Sequence, residues 1–545
     1  MSQKLYEESN IQNIANAIRE KNGTSNVYTA AQMAGAIRSI KTAPVLESLT
    51  VSQNGSFAPS AGVDGFSSVI VDVPSGGGPG VLISKTFTAN GSYNAFIEDG
   101  ADGYSDIIID VPQEQTLVDA KEIIERTASV INNSTASIVG SFCMYKNSKL
   151  QEIQLLSCLF ISDSAFQECT SLASVSFPAC TSIGPYAFNR CYKLQSVFFP
   201  ECTLISYTAF IDCRSLASVS FPACTSIGND AFRGCYSLAS LSFPACTSIG
   251  NAAFQTCYSL ASVSFPVCTS IGISAFQECR SLASLSFPAC TSIGDSAFYS
   301  CSSLASVSFP SCTSIGNHAF RECYSLASLS FPDCVSIGNY AFNRCSSLAS
   351  VSFPVCKSIG NGAFQECRSL ASVSFPACTS IGNAAFQSCY SLASVSFPVC
   401  TSIGEYAFRS CSSLVSVSLP VCTNAARWFA FCDDVALRSV EFPECISIDQ
   451  GAFKNCTALS IASFRKCSKT VGIEAFYGCT SLMSLYLLCE SVPTLWSDAF
   501  YSTPLSLSTY TGTFGSIFVR ASLVDAYKSA SNWSLYADRI TAYIE

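Results

Sequence analysis

Charge is scarce in this chain of 545 residues. Only 12% of it is Asp, Glu, Lys or Arg, and histidine occurs once, at His318. With one imidazole, and no Ser or Cys set apart from a repeated pattern, nucleophilic and acid–base machinery have no candidate, so no catalytic residue is expected. Lys and Arg never cluster, and the formal net charge is −9. A phosphate backbone needs a basic stripe, which argues against nucleic acid as a partner. No apolar run approaches 18 residues, so no membrane insertion is expected. The opening Met1-Ser-Gln-Lys-Leu-Tyr-Glu-Glu-Ser-Asn has no apolar export core, and Ile544-Glu545 completes no anchoring signal. The expectation is a chain made in a cytoplasm and not exported by the ordinary secretory route. Disorder is excluded by what is plentiful, since 49% of the residues are apolar.

The rest is repetition. Residues 216–237 read Leu-Ala-Ser-Val-Ser-Phe-Pro-Ala-Cys-Thr-Ser-Ile-Gly-Asn-Asp-Ala-Phe-Arg-Gly-Cys-Tyr-Ser. The leading leucine returns every 22 residues from Leu150 to Leu414, and with two one-residue slips at Leu437, Leu459 and Leu482, making sixteen units. A fixed period of this size predicts a repeat solenoid, each unit one coil that buries its apolar residues against its neighbours. Leu216, Val219 and Phe221 alternate with Ser218 and Ser220, the pattern of a short strand with its apolar side inward. Pro222 ends that strand, having no N–H to donate. Ile227-Gly228 supplies a second inward residue and a turn, and Ala231-Phe232 a core pair on a short helical turn. The fold class is thus a short parallel β-strand plus a short helical turn per coil, in a rod on the order of 75 Å long at strand spacing.

Around the array the chain divides further. Residues 1–41 read as two short helices with capping boxes at Ser9–Gln12 and Thr29–Gln32, a unit too small to stand alone and so an attachment segment. Residues 46–74 and 82–112 are two β modules related by sequence, Asp64-Gly-Phe-Ser-Ser-Val matching Asp102-Gly-Tyr-Ser-Asp-Ile, with Asn-Gly and Asp-Gly as hairpin turns. A Gly-rich linker, 75–81, joins them. Residues 116–133 carry Leu117, Ile124 and Ile131 seven apart, predicting a helix that caps the solenoid of 134–488 or forms a short coiled coil. Residues 489–545 lose the repeat and read as a C-terminal cap, with a strand at Ser516–Val519, a helix at Ala521–Ser529, and Trp533 and Tyr536 as packing anchors.

Two ladders of cysteine follow from the period, Cys158 onward to Cys422 and Cys169 onward to Cys411. Neighbours lie within disulfide range, but buried core thiols fit a cytoplasmically made chain better. Zinc requires tetrahedral convergence, which a line of thiols does not offer, so neither metal nor cofactor is expected. Glu168, Glu278, Glu322 and Glu366 share one variable site, a solvated row. The residue after the second cysteine varies most tellingly: Tyr192, Arg214, Tyr236, Tyr258, Arg280, Tyr324, Arg368 and Tyr390 alternate there with Ser and Thr. Tyr, Arg, Ser and Asn are the alphabet of recognition surfaces, and exposed tyrosines also suit stacking on sugars. These eight residues are the candidate binding site; neutral drift at exposed positions is the alternative. The uniform Ser174, Ser196 and Ser218 face points to spacing constraints instead.

The repeat, Leu-x-x-Val-x-Phe-Pro-x-x-x-x-Ile-Gly-x-x-Ala-Phe-x-x-Cys-x-x-Leu, resembles the BspA-type leucine-rich repeats of bacterial surface antigens over about 340 residues. Asn13-Ile-Ala-Asn-Ala-Ile-Arg-Glu-Lys-Asn-Gly23, the two β modules and Ile517–Trp533 are similar to segments of tail proteins from phages and prophages of gut Firmicutes. The resemblance implies a tail fibre or receptor-binding protein of the virion. Its partners would be a glycan or protein of the bacterial surface and, through the N-terminus, other tail proteins; a homo-oligomer is implied, with a trimer as the guess. A bacterial adhesin of the same repeat class, a structural spacer and a depolymerase are the other readings.

Overall fold

The computed structural model describes residues 129–133, 136–506 and 513–544, together with the backbone of six short strands between residues 56 and 117. The two helices expected in 1–41 lie outside the described residues. From Thr116 onward the chain winds a parallel β-solenoid of about 18 turns. Each coil contributes two strands instead of the expected one. The first ladder takes segments such as Ser218–Ser220 and Ser240–Ser242; the second takes Ser226–Ile227 and Ser248–Ile249. Successive strands pair in parallel at a fixed register, Ser226 against Ser248 and Ile227 against Ile249.

The repeated letters build the core as the alternation demands. Leu216, Phe221, Cys224, Ile227, Ala231, Phe232 and Cys235 are all buried. The two phenylalanines of each coil form two axial stacks. Phe210 and Phe232 lie 5.1 Å apart and nearly parallel, while Phe221 meets Phe232 edge-on at 6.1 Å. Such geometry adds to area burial, on the order of 1 kcal/mol per aromatic pair. The glycine after each isoleucine is required by thickness: a Cβ on Gly250 would stand 2.6 Å from the Asn229 backbone nitrogen of the coil before.

The third segment of the coil is not a helical turn. Asp230 and Gly234 adopt left-handed conformations, at φ 54° and 74°. The N–H groups of Asp230, Phe232 and Gly234 donate to the carbonyls of Asn251, Ala253 and Gln255 in the next coil, at 2.8, 2.7 and 2.9 Å. A helix would keep those bonds within itself. In a coil one strand spacing thick, the donors find partners only in the neighbouring coil, and the left-handed residues turn them along the axis. The outcome is a third ladder made of turns.

Both ends depart from expectation. At the N-terminal end Thr116–Leu117 and Val130–Asn133 are strands, the first of the second and first ladders, while the rest of the helix expected over 116–133 lies outside the described residues. The array therefore begins before residue 134. It also runs past 488, because Thr494–Leu495, Ser516–Arg520 and Ile540–Tyr543 all extend it in parallel. Within that end Val524–Ser529 is helical and Trp533 is fully buried against Phe500 and Tyr527, as expected. The two β modules interlock: Ser68–Asp72 of the first pairs antiparallel with Asp106–Asp110 of the second, and Ser56–Phe57 with Tyr93–Asn94. Val81–Ser84 pairs antiparallel with Ala95–Glu98, while the expected Asn90-Gly91 turn lies outside the described residues.

One coil is irregular without breaking the stack. Around Asn424–Phe431 the second ladder thins to isolated bridges, Ala426 with Ile448 and Ile448 with Val471. Leu419 replaces a core phenylalanine, yet Phe431 still stacks on Phe408 and Phe453 at 5.5 Å each. Asp434 occupies the place of the second cysteine in this coil. It is completely buried, accepting a 2.7 Å bond from the Cys411 N–H through Oδ1.

Candidate binding face

The ribbon of turns sets the site. In each coil the left-handed residue precedes the buried second cysteine, and the next side chain is thrown outward: Gly234, Cys235, Tyr236 is one example. Because every coil repeats this, the outward residues fall in one axial line. Tyr192, Arg214, Tyr236, Tyr258 and Arg280 form a continuous stack. The Arg214 guanidinium lies 5.1 Å from the Tyr192 ring and 5.6 Å from that of Tyr236. Tyr236 and Tyr258 stack at 5.1 Å, and Arg280 covers Tyr258 at 4.9 Å.

This arrangement corrects the expectation of free tyrosine faces. In the stack the ring faces are occupied by their neighbours, so Tyr192, Tyr236 and Tyr258 are half-buried and present only edges and hydroxyls. The stack is interrupted at Ser302 and Ser346. Between them Tyr324 stands 44% exposed. Beyond Ser346 the line resumes with Arg368 over Tyr390 at 5.9 Å. All eight predicted residues thus lie on one face, five in one continuous stack and two more, Arg368 and Tyr390, in a separate pair.

A second row runs alongside, made of the left-handed residues themselves. Glu168 pairs with Arg190 at 3.3 Å. Arg344 reaches Glu322 at 3.3 Å and Glu366 at 3.4 Å, and Glu322 also accepts the hydroxyls of Tyr299 and Ser300. Glu278 and Glu366 hold Arg280 and Arg368 of the outer row at 2.6 and 3.4 Å. The solvated carboxylate row is therefore a network of pairs. Exposed pairs of this kind stabilise by only ~0–1 kcal/mol each, and exposed cation–π contacts by about as much. Their effect is to fix side chains in place. Burial, with Glu322 adding to it, raises the Tyr324 pKa, and the carboxylates of Glu366 and Glu322 raise that of Arg344.

Sequence reasoning missed a third line in the same ribbon. His318 stacks flat on Tyr340 at 5.3 Å, and Tyr406 on Phe429 at 5.5 Å. Burial, then the nearby Arg321 charge, lowers the His318 pKa. The 22-residue spacing of these aromatics was the available signal. Trp428, 47% exposed, belongs to the irregular coil beside them.

The thiols have structural work. Cys224 donates to the Ser226 carbonyl and Cys235 to that of Phe210 one coil back, at 3.3 and 3.2 Å. Desolvation pushes Cys268 and Cys356 up to about 11. Every cysteine is free, and all but Cys143 are buried. Among the described residues no three His, Cys, Asp or Glu converge as a metal would require. Beside the second ladder, Thr225 and Thr247 hydroxyls donate to the carbonyls of Thr203 and Thr225, coil to coil. Those hydroxyls hold the spacing.

The repeat finds its family in sequence. Six copies of the model described as BspA type leucine rich repeat region match over residues 124–217, 203–311, 269–393 and 379–507. The chain belongs to this family. Among solved structures, the BspA-type chain is similar to a leucine-rich repeat protein from Bacteroides ovatus, at 21% identity and TM-score 0.45 over 73% of this chain and 97% of that one. It is also similar to a leucine rich cell surface protein from Faecalibacterium prausnitzii, at 23% identity and TM-score 0.33 over 67% and 95%. A leucine-rich repeat protein from Eubacterium ventriosum shares 20% identity at TM-score 0.36 over 58% and 90%. No curated protein sequence matches the chain.

Proposed function

We propose that this BspA-type chain is a non-enzymatic binding protein of a phage tail, and that its solenoid engages the bacterial surface through the Tyr/Arg row. One observation carries the reading: in a core whose letters barely change from coil to coil, Tyr192, Arg214, Tyr236, Tyr258 and Arg280 vary and yet interlock on the outside. Rings and guanidinium groups fixed before contact lose little entropy on binding, which favours recognition. Assignment to a virion rests on the N-terminal segment and β modules, whose sequences are similar to those of tail proteins. In this reading the N-terminus joins other tail proteins and the chain assembles as a homo-oligomer, a trimer by analogy.

Membership of a repeat family known from surface antigens supports a second reading equally, that of a bacterial cell-surface adhesin. Both readings place the array against a surface ligand, glycan or protein. The full chain, fluorescently labelled, is expected to bind intact cells of a susceptible gut Firmicute saturably and to reduce phage adsorption on them. Saturable binding without any effect on adsorption would favour the adhesin. Absence of binding would end both readings.

A further inference from the structure

The two serine interruptions in the outer row have well-defined walls. From Arg280 the line runs Ser302, Tyr324, Ser346, Arg368, one residue per coil. Neighbouring rungs sit about 5 Å apart, as Tyr236 and Tyr258 do at 5.1 Å. Skipping one rung leaves the Arg280 and Tyr324 side chains about 10 Å apart at Ser302, and Tyr324 and Arg368 about 10 Å apart at Ser346, so a ring between them would stack at about 5 Å from each wall. The walls are braced from behind. Arg280 is backed by Tyr258 at 4.9 Å and tied to Glu278 at 2.6 Å. Arg368 is backed by Tyr390 at 5.9 Å and tied to Glu366 at 3.4 Å.

The molecule contains the filled version of the same arrangement. Arg214, Tyr236, Tyr258 and Arg280 are consecutive rungs, so Tyr236 lies between an arginine and a tyrosine, and Tyr258 between a tyrosine and an arginine. These are the walls at Ser302 and Ser346 respectively. We propose that the two gaps flanking Tyr324 are slots for aromatic side chains of a partner protein, each ring held between the Tyr324 face and a guanidinium.

Two features favour an aromatic side chain over other rings. A guanidinium attracts the electron-rich face of an aromatic ring, which a pyranose lacks. Along one edge of the slots the Glu322 carboxylate accepts the Tyr299 hydroxyl, and it accepts the hydroxyl of an entering phenol in the same way. The proposal rests on the reading of this row as the contact surface, and it narrows the partner there from glycan or protein to protein.

The test uses the full chain with N-acetyl-tyrosinamide as probe and methyl glucopyranoside as comparison, read by saturation-transfer difference NMR. Ring protons of the tyrosinamide should receive saturation, with little transfer to the pyranoside. Filling the slots by Ser302→Tyr together with Ser346→Tyr completes the molecule's own stack and should weaken the aromatic signal at least about tenfold. Ser196→Tyr, on the serine strand face, should leave it unchanged, and unaltered thermal unfolding of both variants excludes misfolding as the cause. An aromatic signal that survives filling, or one stronger for the pyranoside, overturns the slots. If cell binding by the parent chain persists in that case, the row remains the contact surface and only the aromatic assignment falls.

Discussion

At the scale of the residue, the turn ribbon is held at a cost that the sequence does not advertise. Ala252, Ala384 and His318 all adopt left-handed backbone, at φ 52°, 53° and 56°. A side chain in that region costs roughly 1–2 kcal/mol relative to right-handed backbone. The cross-coil bonds offset it: the Ala252 N–H donates to the Ile273 carbonyl at 2.7 Å. Ala252→Gly keeps that bond and removes the clash of Cβ, so the variant should be more stable by about 1 kcal/mol, net of glycine's greater freedom when unfolded. A urea midpoint that rises confirms the left-handed assignment; one that falls contradicts it. The same residues explain why the ribbon was illegible. Glycine marks such positions in most sequences, but here Glu278, Arg344 and Thr256 occupy them, so the pattern read as a helical turn.

At the scale of the element, the irregular coil at 424–437 carries a buried carboxyl in a line of thiols. Cys411 and Cys456 are its neighbours in the line, and Asp433 precedes it. Burial raises the Asp434 pKa well above its ordinary value, and the nearby Asp433 adds to this while the Cys411 N–H opposes it. Below the unfolded pKa, near 3.9, both states are protonated and the group costs nothing. As pH rises from there, the unfolded chain ionises first, so stability falls by about 1.4 kcal/mol per pH step of one until the folded carboxyl ionises too. Asp434→Cys restores the line of thiols. Its gain in stability over the parent should be small at pH 4 and grow towards pH 7, followed by thermal unfolding at each pH. A gain independent of pH would mean that Asp434 is not held neutral. The coils on either side show what was legible: their Leu, Phe, Ile and Cys letters alternate inward, and all were placed correctly. Leu117 and Ile131, which also fit a seven-residue spacing, stand in strands. Their ladder partners, Ile138 and Ile153, lie 21 and 22 residues on, the spacing of the coil itself.

At the scale of the whole molecule, the period separates construction from recognition. Buried letters and backbone ladders make a long array that tolerates change only on its outside, because any coil altered within disturbs both neighbours. The position of the variable row was legible, since one residue per coil after a buried cysteine must face out. Its interlocking was not, because contact between Tyr192 and Arg214 depends on coil thickness and on which rotamers the Glu row holds. That interlocking is the central claim. It is tested most directly by the binding of labelled full-length chain to host cells when Tyr192, Arg214, Tyr236, Tyr258 and Arg280 are all replaced by serine, the residue that the array itself uses at Ser302 and Ser346. The account predicts unchanged thermal unfolding within a few degrees and a loss of affinity of at least about tenfold, or ~1.4 kcal/mol. Undiminished binding by the folded variant would contradict it.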